Sequence, residues 1–350
     1  MDKSINQMQL DALEFISFHG ADLDIDWLRG PFLITGSSGM LGYYLTSIIE
    51  SVAARAGVET KIYAVSSRVS KLGLAMYGFT KFTTFLDYDD LKNNFSQINF
   101  KTVIHSASPA SLVDVVNGIE ELVDKNIDLT LRLLKRCKNS HAMMYLFSSG
   151  EVYGPNTQYP TRENDFSAIN PLDLHSLYPE AKKFSESLAY GFSEHVNTNV
   201  LRIYHTFGPG IRLEDTRIFA QVVKSIINNQ PFVLNSDGLA TRNFLYSLDL
   251  FNAIYLLRNT KQTDAYNVAG SKEYSIRDFL AVVKDTFEEF QVVESDGQPR
   301  LALQSIVQRG SADTTKLANL GWRQNINVPD ALIRTVKWRT DTNNGGKKYV

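Results

Sequence analysis

Residues 32–50 read Phe32-Leu33-Ile34-Thr35-Gly36-Ser37-Ser38-Gly39-Met40-Leu41-Gly42-Tyr43-Tyr44-Leu45-Thr46-Ser47-Ile48-Ile49-Glu50. An apolar run, three glycines at three-residue intervals, and then Leu41, Leu45, Ile48 and Ile49 on one helical face predict strand, tight turn and helix in that order. Glycines let the backbone turn sharply and approach a pyrophosphate, and the following helix aims free N–H groups and its positive dipole end at the phosphates. The stretch predicts a dinucleotide cradle. Its spacing, Gly36, Gly39 and Gly42, is the GxxGxxG variant rather than GxGxxG, and the order of strand, turn and helix around it supplies the specificity that glycines alone lack.

Working outward, residues 1–30 predict a short amphipathic helix through Met8, Leu10, Leu13, Phe15 and Ile16, expected to pack on the outside of the domain. Downstream, 61–65, 82–86, 102–105 and 143–147 read as strands separated by helical or loop sequence, with helices over 119–137 and 177–195 and a further strand over 199–203. Strands alternating with helices predict an α/β fold with a doubly wound parallel sheet. From about residue 205 the pattern becomes irregular, with Gly208-Pro209-Gly210, helices near 216–229 and 275–288, and a short strand at 266–269. This predicts a smaller second domain over 205–335, with some strands returning to the first sheet. The polar, glycine-containing end is expected as a frayed tail over 336–350.

Composition narrows the function classes. With 43% hydrophobic residues in 350, the chain can build a full core. Lys plus Arg is 36 and Asp plus Glu 38, so the formal charge is 36 − 38 = −2, which gives no electrostatic case for nucleic acid or an anionic membrane. Cys137 is the only cysteine, which excludes an internal disulfide and a cysteine metal cage and suits the cytoplasm. No apolar run reaches the roughly 20 residues of a membrane span, no histidine spacing suggests a metal site, and His175 and His195 read as surface or capping residues.

Tyr178 and Lys182 lie four apart on a predicted helix and so face the same way. A lysine ammonium beside a phenol favours the phenolate, which makes the tyrosine a candidate proton acceptor. Ser149, at the C-terminal end of the 143–147 strand, is placed to hydrogen-bond a substrate oxygen while the tyrosine takes its proton.

Over residues 31–330 the chain resembles the extended short-chain dehydrogenase/reductases of the nucleotide-sugar epimerase and dehydratase group. The matching motifs are Thr35-Gly36-x-x-Gly39-x-x-Gly42, Ser148-Ser149-Gly150-Glu151-Val152-Tyr153-Gly154, Tyr178-x-x-x-Lys182, Arg202-x-x-x-Thr206-Phe207-Gly208-Pro209, Asp237-Gly238-x-x-x-Arg242, Tyr266-Asn267-Val268 and Leu320-Gly321-Trp322. The resemblance implies a Rossmann domain over 31–204, an interleaved nucleotide-sugar domain over 205–335, and a homodimer built on the helices 119–137 and 177–195. It implies that Tyr178 is the acid/base, that Lys182 tunes it and holds the nicotinamide ribose, that Ser149 orients the sugar, and that Glu151 is the base acting on sugar carbon 5. It further implies cofactor contacts from Gly36, Ser38, Gly39, Met40, Leu41, Gly42, Ser67, Arg68, Asp87 and Ala107, and substrate contacts from Ser108, Ser149, His205 and Arg242. Arg309 is a further candidate for the diphosphate.

Three departures sharpen the expectation. The second strand ends Val65-Ser66-Ser67-Arg68, where an acidic residue would hold the ribose hydroxyls of NAD, so NADP is favoured over NAD. Gly150 stands where some dehydratases carry the aspartate that protonates the departing hydroxyl. His205 stands in place of an asparagine at the diphosphate. Glu151 favours an enzyme that passes through a transient 4-keto sugar, by epimerisation or dehydration, since simple reduction needs no carbon base. The alternatives are an NADPH-dependent 4-ketoreductase of a 4-keto-6-deoxy sugar nucleotide and a non-catalytic cofactor-binding regulator.

Overall fold

The computed structural model describes residues 6–67, 81–109, 112–155, 158–295 and 309–344. Seven strands form one parallel sheet: β1 (Phe32–Thr35), β2 (Ile62–Val65), β3 (Thr83–Leu86), β4 (Thr102–His105), β5 (Met143–Ser149), β6 (Thr198–Ile203) and β10 (Asp264–Val268). Their order is β10-β6-β5-β4-β1-β2-β3, and every neighbouring pair is parallel. The chain runs outward from β1 through β2 to β3 and then crosses back to β4 on the other side of β1, which opens a crevice at the carboxyl ends of β1 and β4.

β1 shows why the sheet is covered on both sides. All four of its residues are buried, and Phe32 and Ile34 join one apolar cluster while Leu33 joins the other. Side chains alternate across a strand, so a fully apolar run can be satisfied only with helices on both faces. Met40–Arg55 covers one face through Tyr44, Leu45, Ile48 and Ile49, and Leu129–Ser140 the other through Leu133, Leu134 and Cys137. Burial pushes the Cys137 thiol up to about 12.

The second lobe contains the three-stranded order β11-β9-β7, made of β7 (His205–Phe207), β9 (Thr241–Tyr246) and β11 (Glu273–Ser275), and the pair β12-β8, made of β8 (Phe232–Leu234) and β12 (Val292–Glu294). Helices Ile218–Asn228 and Ile276–Thr286 pack here. Between them the chain returns to the large sheet as β10, on the outer side of β6.

Several boundaries differ from the sequence reading. The helix expected over 119–137 is interrupted: Ile119–Val123 is α-helical, Asp124–Asp128 forms a π-turn, and Leu129–Ser140 resumes the α-helix. Leu177–Gly191 ends four residues short of the expected 195. Val328–Asn344 is one helix that runs across the expected tail boundary at 336, because Leu332, Thr335 and Trp338 continue its buried stripe. The amino-terminal helix Gln7–His19 is anchored rather than peripheral. Met8, Ala12 and Phe15 are buried, and Asp11 bonds to residues of three other segments.

Candidate active site

The glycine turn leaves β1 with Gly36 at φ +72°, and a Cβ there would stand 2.7 Å from the Ala107 nitrogen. A Cβ on Gly42 would stand 2.2 Å from the Gly36 carbonyl oxygen. Both positions therefore require glycine, and the result is a turn tight enough to bring the first helical turn against the end of β1. Gly39 caps Met40–Arg55 without any side-chain acceptor, so the helix presents its first N–H groups to the crevice. These are the features a dinucleotide pyrophosphate needs, and the residues present fit it.

The other expected cofactor positions surround this turn. Ser38, Met40 and Leu41 lie on the turn and the first helical turn, and Ala107 is buried against Gly36. Ser67 is exposed immediately beyond β2; Arg68 lies outside the described residues. Asp87 caps the helix Tyr88–Asn94, with its carboxylate accepting from the Asp90 N–H at 2.6 Å. Its neighbour Tyr88 was not anticipated. The Tyr88 hydroxyl accepts from the Gly36 backbone, and the Lys125 Nζ lies 3.6 Å from its ring centroid.

At the end of β5 the catalytic candidates converge. Ser149 caps the short helical turn Gly150–Tyr153, and its side chain hydrogen-bonds Tyr178. Lys182 is buried, donates to the Phe147 carbonyl oxygen at 2.7 Å, and sits 5.8 Å from the Tyr178 ring centroid. Burial lowers its ammonium to about 7, opposed by Glu186. Burial raises the Tyr178 phenol well above its ordinary value, and Glu151 adds to the rise while Ser149 and Arg217 oppose it. A phenol in this state holds its proton, and it becomes a base only with additional positive charge in the crevice.

Glu151 is the second carboxylic group of the mouth. Burial raises its pKa, opposed by Arg242, His175 and Arg217 in that order. No hydrogen bond to its carboxylate appears among the described residues. Gly150 explains itself: a Cβ there would stand 2.6 Å from the Tyr204 ring. An aspartate at this position would collide with that ring.

The expected substrate contacts fall into two groups. Ser108 lies beside Ala107, where its hydroxyl accepts from the Asn126 amide at 3.1 Å. Arg242 is buried on β9, donates to the Thr241 carbonyl oxygen at 2.7 Å and reaches Glu151 electrostatically. His205 is half-buried on β7 beside Phe244, and its buried Nδ1 finds no hydrogen-bond partner. Desolvation, Arg242 and Arg217 all push His205 towards the neutral form. Arg309 is occupied instead by Glu273, at 2.8 and 2.9 Å, which holds that carboxyl at about 2.

Asn126 was missed by sequence reasoning. It sits in the π-turn, fully buried, donates to Ser108 and Leu122, and accepts at its carbonyl oxygen from Ser185 of the Tyr178 helix at 2.7 Å. Local π-turns often mark functional positions, but nothing in the residue spacing betrays one. Arg217, which reaches Glu151, Tyr178 and His205, was likewise passed over, and it is held by Asp215 at 2.5–3.0 Å.

Comparison with known proteins agrees with this geometry. Residues 32–269 match the family model described as the NAD dependent epimerase/dehydratase family. A UDP-glucuronic acid decarboxylase 1 of Xenopus tropicalis is 26% identical over 315 residues, covering 89% of this chain and 72% of the relative. An Arabidopsis thaliana decarboxylase of the same name is 28% identical over 236 residues, covering 67% and 54% respectively. Among solved structures, a UDP-glucose 4-epimerase of Thermotoga maritima superposes with a TM-score of 0.76 at 20% identity, over 89% of this chain and 99% of the epimerase. An NAD-dependent NDP-hexosamine 5,6-dehydratase superposes with a TM-score of 0.70 at 20% identity, over 89% and 98%. At these identities the structures speak for the fold. The chain belongs to the NAD-dependent epimerase/dehydratase family, and it is an enzyme of that type.

Proposed function

We propose that this member of the NAD-dependent epimerase/dehydratase family oxidises carbon 4 of a nucleoside-diphosphate sugar to a transient ketone and then uses Glu151 to remove the proton of carbon 5. The observation that carries the reading is the convergence of Ser149, Tyr178, Lys182 and an unbonded, burial-raised Glu151 at the mouth of β5. When bound, a nicotinamide cofactor held at the glycine turn would supply the hydride acceptor, and later the hydride donor, for the sugar. Ser149 orients the sugar hydroxyl and Tyr178 takes its proton. Lys182, one helical turn along, lies beside the phenol and would hold the nicotinamide ribose. The ketone acidifies carbon 5, so a carboxylate raised by burial suffices as the base. Arg242, with Arg217 nearby, bears the diphosphate; arginine suits this through its planar fork of donors.

The relatives support the substrate class. Those named act on UDP-glucuronic acid, on UDP-glucose or on an NDP-hexosamine, and nucleoside-diphosphate sugars are their common denominator. For the cofactor, Ser67 and Arg68 favour the 2′-phosphate of NADP over NAD. The exposed Ile119, Val123, Phe184 and Tyr190, on the two helices expected at the interface, support a homodimer. No helix of the described residues is long and apolar enough to cross a membrane; the single cysteine supports the cytoplasm.

The test is to denature the purified protein and identify any released dinucleotide by mass and absorbance. Tightly held NAD⁺ or NADP⁺ supports the recycling enzyme. An empty site that consumes added NADPH with a 4-keto-6-deoxy sugar nucleotide overturns it in favour of the reductase.

A further inference from the structure

The elimination chemistry open to Glu151 needs a second group, and Gly150 cannot supply it. When a proton leaves carbon 5 and a hydroxyl leaves carbon 6, the departing oxygen must be protonated, because hydroxide is a poor leaving group. The Tyr204 ring fills the space where a side chain at position 150 would have carried that proton.

His175 lies on the same face as the catalytic pair. It belongs to the turn Leu174–Ser176, which runs straight into the helix Leu177–Gly191, so His175, Tyr178 and Lys182 follow one another at intervals of three and four residues. Asp173 holds it from behind, accepting at its Oδ1 both the His175 backbone N–H at 2.9 Å and the ring Nδ1 at 2.8 Å. The far ring nitrogen, Nε2, is buried and has no hydrogen-bond partner. Its positive form acts on Glu151, as do Arg242 and Arg217. Arginine does not release a proton near neutrality, so among these three cations His175 alone can be an acid.

We infer that His175, oriented by Asp173, is the proton donor to the oxygen leaving carbon 6, and that the enzyme performs a β-elimination. The inference rests on the reading of Glu151 as the carbon-5 base. In the step, the C5–H bond breaks and its proton passes to Glu151, while the electron pair forms the C5=C6 bond. The C6–O bond breaks, and the oxygen leaves with the proton from His175 Nε2 as water. The sugar loses one water, with no change in its oxidation level. Asp173 is a positioning residue, since it engages Nδ1 and leaves Nε2 as the nitrogen available to donate.

The experiment incubates the purified enzyme in D₂O with NAD⁺ and, separately, UDP-glucose, dTDP-glucose and UDP-N-acetylglucosamine. Deuterium at carbon 5 is read by NMR and loss of water by mass. For His175→Asn, elimination should fall at least about 100-fold while carbon-5 exchange stays within about threefold of the parent. Free imidazole should restore elimination to His175→Ala, which a structural role would not allow. Elimination at the parent rate in His175→Asn, or loss of exchange and elimination together with no imidazole rescue, overturns the assignment. Absence of carbon-5 exchange in the parent with every sugar has a different signature: it overturns the reading of Glu151, and the assignment falls with it.

Discussion

Asp11 and Glu151 are both carboxylic groups that burial pushes above their ordinary range, yet they stand in opposite kinds of surroundings. Asp11, in the amino-terminal helix, accepts from the hydroxyls of Tyr44 and Tyr246 at 2.8 Å each, from the Gln7 amide at 2.8 Å and from Arg334 at 3.3 Å. Glu151 has charges within reach but no donor against it. A buried polar group is normally saturated. Asp11 obeys that rule and ties its helix to three distant segments, so it belongs to the architecture. Glu151, half-buried just beyond the end of β5, has no such donors, which leaves its carboxylate open to an incoming group. Burial alone does not separate a structural carboxylate from a functional one; the state of its hydrogen bonds does.

The contrast can be broken from either side. Tyr178→Phe and Glu151→Gln should each lower turnover by about 10²–10⁴-fold while leaving the thermal midpoint and cofactor retention where they were. Normal turnover in Tyr178→Phe would remove the crevice from the chemistry altogether. Asp11→Ala should do the reverse. Orphaning two buried phenols, with Arg334 still paired to Glu14 at 2.6 Å, should cost about 2–6 kcal/mol in urea unfolding, with turnover per folded molecule unchanged. A loss of activity without a loss of stability would mean that Asp11 is coupled to the site.

Two smaller effects sharpen the picture. Burial lowers the Lys182 ammonium from 10.5 to about 7, so between these values the unfolded chain holds a proton that the fold does not. Stability should therefore rise with pH through this window, by up to about 1.4 kcal/mol per pH unit. Lys182→Met should remove that rise, so that the stability difference between parent and variant grows with pH through the window; a difference that stays constant with pH would contradict the lowered ammonium. Gly150→Ala, by driving a methyl group into the Tyr204 ring, should cost about 1–3 kcal/mol. Tyr204→Leu in the same chain should recover part of it. An unaltered urea midpoint in Gly150→Ala would show that the ring swings aside.

Much of the crevice was legible because it is local. The glycine turn, the Tyr178 and Lys182 spacing and the apolar strands each declare themselves within a few residues, and strands alternating with helices announce the parallel, doubly wound sheet. What stayed hidden depends on residues far apart in the chain. The Asp11 network needs positions 11, 44, 246 and 334 to meet. The Gly150 contact needs Tyr204, and the π-turn that turns Asn126 towards Ser108 has no spacing of its own. The electrostatic reach of His175 to Glu151 joins two different elements and has no signature in the spacing of residues. The tail was read from composition, which cannot see that Trp338 has a place to pack.

The outer strand β10 has a consequence for how the molecule is made. The sheet that holds the glycine turn at residue 36 is not complete until residues 264–268 pair with β6, and the first helix is not locked until Arg334 reaches Asp11. A nascent chain emerging from the ribosome therefore carries an open sheet edge for the time needed to add some sixty residues after β6, and its first helix is secured only once residue 334 has been made. Neither lobe can be cut away and kept, because each contains a piece of the other.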